Sequence, residues 1–161
     1  LFRPLYDRYF EPIYRFVFKR TADEGLAGDV CSQVFLKAMQ KLGKYNYQGV
    51  PFSAWLYRIA SNEVAQHFRD QQKSRVVSVE DYTMSNLMEE VTEEGDFEGT
   101  RQKLLQTLQE LKEKDMLLIE MRFFEERPFK EIAAILEITE SNAKVKTYRI
   151  LERMKKIMLK K

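Results

Sequence analysis

Apolar residues recur at three- and four-residue steps over most of the chain, the spacing of one face of an α-helix. Tyr6, Tyr9, Phe10, Ile13 and Val17 form the first stripe, which Asp23, Glu24 and Gly25 break. Leu26, Val30, Val34, Ala38 and Leu42 form the second, with Gly43 in a stopping position. The third starts near Ser53, with Phe52, Trp55, Leu56, Ile59, Ala60 and Val64 on its buried side. Three helices of this kind close a small core.

The same period returns after residue 100. Leu104, Leu105, Leu108 and Leu111 mark one helix; Met116, Ile119, Glu120 and Phe123 mark another, broadened by Leu117, Leu118, Met121 and Phe124. Pro128 suits the start of a further helix that buries Phe129, Ile132, Ala133 and Leu136. After a short break at Glu137-Ile-Thr139, Thr139 is placed to cap a last helix running to about Met158. That helix is expected to bury Ala143, Thr147, Ile150, Leu151, Met154, Ile157 and Met158. Residues 76–100 show no sustained period and read as a flexible linker. The expected fold is therefore all-α: two small helical domains, 1–75 and 101–161, joined by an acidic linker that could span about 85 Å at full extension.

Charge sharpens this division. The net charge is only +2, but residues 76–100 hold eight acids and no Lys or Arg, which leaves each flank at +5. Basic blocks attract polyanions through counterion release, although a modest positive charge also simply keeps a helical domain in solution.

Composition removes whole classes of function. With 44% hydrophobic and 32% charged residues, 6 Gly and 4 Pro in 161 positions, neither a disordered chain nor a loop-rich β-sandwich fits. One cysteine, Cys31, and one histidine, His67, cannot build a disulfide framework or a Cys/His zinc site. There is no Gly-rich phosphate loop and no Ser-His-acid constellation, so neither an enzyme nor a cofactor or metal is expected. The longest uncharged stretch, Tyr45–Tyr57, is 13 residues and interrupted by polar positions, so no membrane insertion is expected. A reducing cytoplasm is the expected setting. The chain opens on Leu1 rather than Met, as a trimmed chain would, and Arg3, Asp7 and Arg8 argue against a signal peptide.

Two places carry candidate chemistry. The 13 residues from Tyr45 to Tyr57 include five aromatics, and an unpaired base stacked on an open aromatic face gains about 1–3 kcal/mol. Phe52 and Trp55 read as core anchors, leaving Tyr45 and Tyr47, with Asn46 between them, as stacking candidates. Arg58, Asn62, Arg69 and Lys73 follow on one polar stripe, able to meet base edges and phosphates or merely to be solvated. The second place is the last helix, whose unburied face carries Ser141, Lys144, Val145, Tyr148, Arg149 and Glu152. Eight bases against two acids from Glu140 onward suit insertion into a major groove about 12 Å wide. A basic helix that only packs and solvates is the alternative.

Several stretches resemble one family, the extracytoplasmic-function sigma factors of bacterial RNA polymerase. Asp29-Val-Cys-Ser-Gln-Val-Phe35 is similar to the family's Asp-x-x-Gln-x-x-Phe stretch, and Phe52-Ser-Ala-Trp-Leu-Tyr-Arg-Ile-Ala-Ser-Asn62 to its Trp-Leu-x-x-Ile-Ala-x-Asn stretch. Lys130-Glu-Ile-Ala-Ala-Ile-Leu136, with Lys144 and Arg149, resembles its promoter-reading helix-turn-helix. The resemblance implies that residues 1–75 are sigma region 2, that 76–100 thread the polymerase's RNA exit path, and that 101–161 are region 4. It implies polymerase contacts at Asp29, Gln33 and Phe35, Phe35 fitting a core position equally well. It implies capture of a minus-ten base by the loop around Tyr45 to Gly49, which includes Asn46 and Tyr47, together with Asn62; Arg58 and Arg69 of the polar stripe read above would hold phosphates there. Lys144, Val145, Tyr148 and Arg149 would read the minus-thirty-five duplex, while Lys146 and Arg153 meet phosphates. Core RNA polymerase, promoter DNA and an anti-sigma factor are the implied partners. Two departures stand out: Glu137 occupies a turn position where the family often has Gly, and Ala143 one where it often has Val. A stand-alone helix-turn-helix regulator and a helical protein-binding adaptor are the competing readings.

Overall fold

The computed structural model describes residues 3–45, 51–71, 81–92 and 97–160, and the chain divides into two compact units, residues 1–78 and 79–161. Among the described residues every regular element is helical.

In the first unit α1 (Arg3–Thr21), α2 (Glu24–Lys41) and α3 (Phe52–Gln71) pack pairwise against one another. The core takes Ile13, Phe16 and Val17 from α1, Val30, Cys31, Val34 and Phe35 from α2, and Leu56, Ile59, Ala60 and Val64 from α3. Fully burying a large apolar side chain contributes about 1.5–3 kcal/mol, and the small Ala27, Ala38, Ala54 and Ala60 let the helix backbones approach. The predicted break at residues 23–25 falls slightly earlier. Ala22 takes the left-handed conformation (φ 55°), its N–H returning to the Phe18 carbonyl at 2.8 Å. Asp23 then caps α2 by accepting the Leu26 N–H at 3.0 Å, so Glu24 and Gly25 already belong to the helix.

The first turns of α1 correct the apolar stripe predicted there. Tyr6 is exposed and Tyr9 and Phe10 are half-buried, whereas Ile13, Phe16 and Val17 carry the packing. Arg20 is wholly buried at the other end of that helix; its guanidinium lies 3.4 Å from the centroid of the Phe16 ring, and Nη1 donates to the Phe16 carbonyl at 2.9 Å. The ring face and the carbonyl replace part of the water such a cation gives up.

The second unit holds α4 (Asp81–Val91), α5 (Phe97–Gln109), α6 (Glu113–Ile119), α7 (Phe129–Leu136) and α8 (Glu140–Lys160). A π-helical turn, Glu120–Phe124, extends α6. α8 is the hub, packing against α4, α5, α6 and α7 through Ala143, Thr147, Ile150, Leu151, Met154 and Met158. In α7 Ile135 is buried together with the predicted Ile132, whereas the predicted Leu136 is half-buried; Ile157 of α8 is likewise half-buried.

The flexible acidic linker is the main correction. Residues 81–91 form α4, and α5 already starts at Phe97. Leu87, Met88 and Val91 of α4 are buried, and the helix packs against α5, α8 and the π-helical turn. A stripe one turn long is too short to register as a period amid eight acids, yet it suffices once a complementary apolar surface is supplied by tertiary structure.

Candidate nucleic-acid and protein interfaces

The second unit presents α8 on a tightly specified turn. Pro128, extended and lacking an N–H, starts α7, and its carbonyl accepts the Ile132 N–H at 3.1 Å. Arg127 next to it forms ion pairs with Glu125 and Glu131, and Arg122 lies 3.9 Å from the Phe129 ring centroid while donating to the Arg127 carbonyl at 3.2 Å. These contacts fix where α7 begins. At its end Glu137 adopts the left-handed conformation (φ 59°, ψ 42°), and the Ile138 N–H reaches back to the Ala133 carbonyl at 3.1 Å. Glu137 thus performs the turn that glycine would perform at lower conformational cost. Thr139 caps α8 as predicted, its Oγ1 accepting the Asn142 N–H at 3.0 Å.

Ala143 and Thr147 hold α8 against the core, so its opposite face is solvent-facing. Ser141, Lys144, Val145, Lys146, Tyr148, Arg149 and Glu152 are all exposed, and Val145 and Tyr148 retain 43% and 57% of their surface. Two large apolar side chains left open beside Lys144 and Arg149 suit a groove that displays thymine methyls, base-edge acceptors and phosphates together. Lys144 lies 3.8 Å from Glu140 in an exposed pair worth little. Arg153, expected to meet phosphate, is tied by a 2.8 Å ion pair to Asp115 in the first turn of α6.

In the first unit the aromatics gather at one place. Tyr45 closes a short 3-10 turn, and its ring sits 5.5 Å from Phe52 and 5.1 Å from Trp55, with Tyr9 5.4 Å from Phe52. All four are half-buried, so Phe52 and Trp55 are rim residues rather than the core anchors expected, and Tyr45 packs among them instead of standing open. Asn46 and Tyr47 lie outside the described residues, as does Lys73. Asn62 is exposed on α3, one heptad step from Trp55 and another from Arg69, which places the three along one face. Arg58 is half-buried between them in sequence, and Arg69 donates to Gln66 Oε1 at 2.9 Å. Sequence reasoning missed Trp55 as part of this face because Trp55 falls on the apolar stripe with Leu56 and Ile59.

On α2, Asp29 and Gln33 are exposed as expected. Phe35 is not available for a partner. It is 4% exposed, with its ring 4.9 Å from Tyr6 and 6.0 Å from Phe10. The exposed apolar residues there are Leu36 and Met39, three and six positions beyond Gln33. Their signal was legible: both fall off the Leu26, Val30, Val34, Ala38 stripe and so stand as bulky apolar groups on the polar side. Burial pushes the Cys31 thiol up to about 11, which leaves it protonated and inert in the core.

Residues 5–74 match the family described as Sigma-70 region 2, and residues 101–154 match Sigma-70, region 4. The ECF RNA polymerase sigma factor BldN of Streptomyces coelicolor is 28% identical over 158 residues, covering 98% of this chain and 60% of BldN. The ECF RNA polymerase sigma factor SigM of Bacillus subtilis is 24% identical over 152 residues, covering 94% of this chain and 91% of SigM. The chain therefore spans less than two thirds of BldN but nearly the whole of SigM. Among solved structures, the sigma factor RpoE of Bartonella quintana, crystallised with the anti-sigma factor NepR, shares the fold at a TM-score of 0.56 and 18% identity, with 98% of this chain and 96% of that one covered.

Proposed function

The chain belongs to the sigma-70 family, in its extracytoplasmic-function group, and from that premise we propose that it binds core RNA polymerase in the cytoplasm and directs it to promoters by gripping two DNA elements. It performs no catalysis of its own. The observation that carries the reading is the face of α8, where Val145 and Tyr148 stay open beside Lys144 and Arg149 although the other side of the helix is wholly packed.

Region 4 sets α8 into the major groove of the minus-thirty-five element. Arg149 and Lys144 supply donors to guanine edges or phosphates, and Val145 and Tyr148 meet thymine methyls. Lys146 adds a phosphate contact, while Arg153 serves first to brace α8 on α6. Region 2 acts on the minus-ten element with Asn62, Arg58 and Arg69 beside the Tyr45, Phe52 and Trp55 cluster, and Asn46 and Tyr47 remain sequence candidates for the same contact. Trapping an extruded base there gains about 1–3 kcal/mol from stacking, which offsets an unstacking cost of a few kcal/mol once hydrogen bonds at the base edge are added. Core polymerase docks on the exposed side of α2 at Asp29, Gln33, Leu36 and Met39. An anti-sigma factor would silence the protein by covering either apolar face.

The test is assembly. Mixed with core polymerase, the full chain forms a stable complex that binds promoter DNA with a steep dependence on salt. Specific operator binding by the chain alone, with no affinity for polymerase, would instead support a stand-alone regulator.

A further inference from the structure

Asn142 is exposed in the first turn of α8, three residues before Val145 and seven before Arg149. At 3.6 residues per turn these offsets keep the three side chains within about 60° of one another, so they form one ridge along the helix. The ridge points away from the core. Ala143 and Thr147, 0% and 1% exposed, hold the opposite side of α8, and the Thr147 hydroxyl donates to the Ala143 carbonyl at 2.8 Å. The helix start is served by Thr139, which accepts the main-chain N–H of Asn142 at 3.0 Å and leaves the side chain out of the cap. Among the described residues the Asn142 side-chain amide makes no hydrogen bond.

What an exposed side chain reads in a major groove follows from its donors and acceptors. Lys144, Lys146 and Arg149 only donate, so they meet guanine edges or phosphates, and Val145 offers only an apolar surface. Asn142 is the one side-chain amide in α8. Its oxygen accepts and its nitrogen donates in a single plane, the complement of adenine, which presents the N6 donor and the N7 acceptor side by side. Position agrees with chemistry, because a recognition helix in this motif meets base edges with its N-terminal residues. Resting on the promoter-specificity reading above, we propose that Asn142 is a specificity-determining residue whose amide pairs with N6 and N7 of an adenine in the upstream element. Seven residues of helix rise about 10 Å, so this adenine lies about three base pairs from the position that Arg149 reads.

Selection from a promoter library randomised in the upstream element, with the full chain assembled on core polymerase, reads this contact base by base. Wild type should favour adenine by about tenfold or more at one position. Asn142→Ala should abolish that preference and leave those at the other positions intact. Asn142→Asp suits the first turn of a helix but can only accept, so the favoured base at the same position should change from adenine to cytosine, whose N4 amino group donates. Both variants keep the main-chain N–H that Thr139 caps. A uniform loss of affinity across the library in Asn142→Ala would mark a phosphate contact, and an adenine preference that survives the substitution would mark DNA shape read without Asn142; either result would overturn the proposal. Wild-type protein in the same selection separates the two claims. Enrichment of no upstream sequence at all removes the promoter reading of α8 and this contact with it, whereas enrichment that both variants leave unchanged removes the contact alone.

Discussion

Thr139 Oγ1 accepts the backbone N–H of Asn142 at 3.0 Å, and this bond sets the first turn of the helix that carries the DNA-reading face. Removing the acceptor leaves an orphan donor at the helix start. Thr139→Ala should cost about 1 kcal/mol in urea unfolding of the chain, and Thr139→Ser should restore most of it. Equal stability of Thr139→Ala and wild type would mean that water caps α8 equally well.

Glu137 holds a left-handed conformation that costs a side-chain-bearing residue about 1–2 kcal/mol. Glycine adopts it freely but loses more entropy on folding. Glu137→Gly is therefore expected to stabilise the second unit by about 0.5–1 kcal/mol, read as a higher melting temperature. A decrease would show that contacts made by the Glu137 side chain outweigh the backbone term.

Phe35 and its neighbours on α2 divide folding from docking. Phe35→Ala opens a cavity against Tyr6 and Phe10 and should cost about 3–5 kcal/mol of stability. Leu36→Ala with Met39→Ala removes exposed side chains and should change stability by about 0.5 kcal/mol or less per site. The same pair should weaken polymerase binding by about tenfold or more, as loss of apolar anchors at an interface does. Unchanged binding in a co-elution titration would move the docking surface elsewhere.

On α8, Lys144→Ala with Arg149→Ala should weaken binding of polymerase complexes to the upstream duplex. Where the lost charges met phosphates, the slope of log affinity against log salt should flatten by about 1 for each. Promoter occupancy that does not respond at any salt concentration would count against the α8 assignment.

The helices themselves were largely readable, because stripes such as Val30, Val34 and Ala38 or Ile150, Met154 and Met158 run long enough to define a face. The Thr139 cap was readable too, since hydroxyl chemistry at a helix start is local. What failed was tertiary in origin. Tyr6 and Phe35 look alike as apolar residues at helical spacing, and only the packing of α1 on α2 decides that Phe35 is inside and Tyr6 is not. Trp55 falls on the same apolar stripe as Leu56 and Ile59, yet it sits at a rim with Tyr45 and Phe52. α4 was hidden because Leu87, Met88 and Val91 become a helix face only against α8 and its neighbours. The π-helical turn at Glu120–Phe124 has no pattern of its own in the sequence, being a continuation of α6 that widens by one residue.

The central claim is that this chain gives core polymerase an address through two DNA grips, and mapping transcription start sites with purified core polymerase tests it most directly. With the wild-type chain added, starts should concentrate at a defined set of sites sharing one upstream and one downstream element; Asn62→Ala should keep polymerase bound at those sites but lose strand opening. Start sites that are the same with and without the chain would contradict the account.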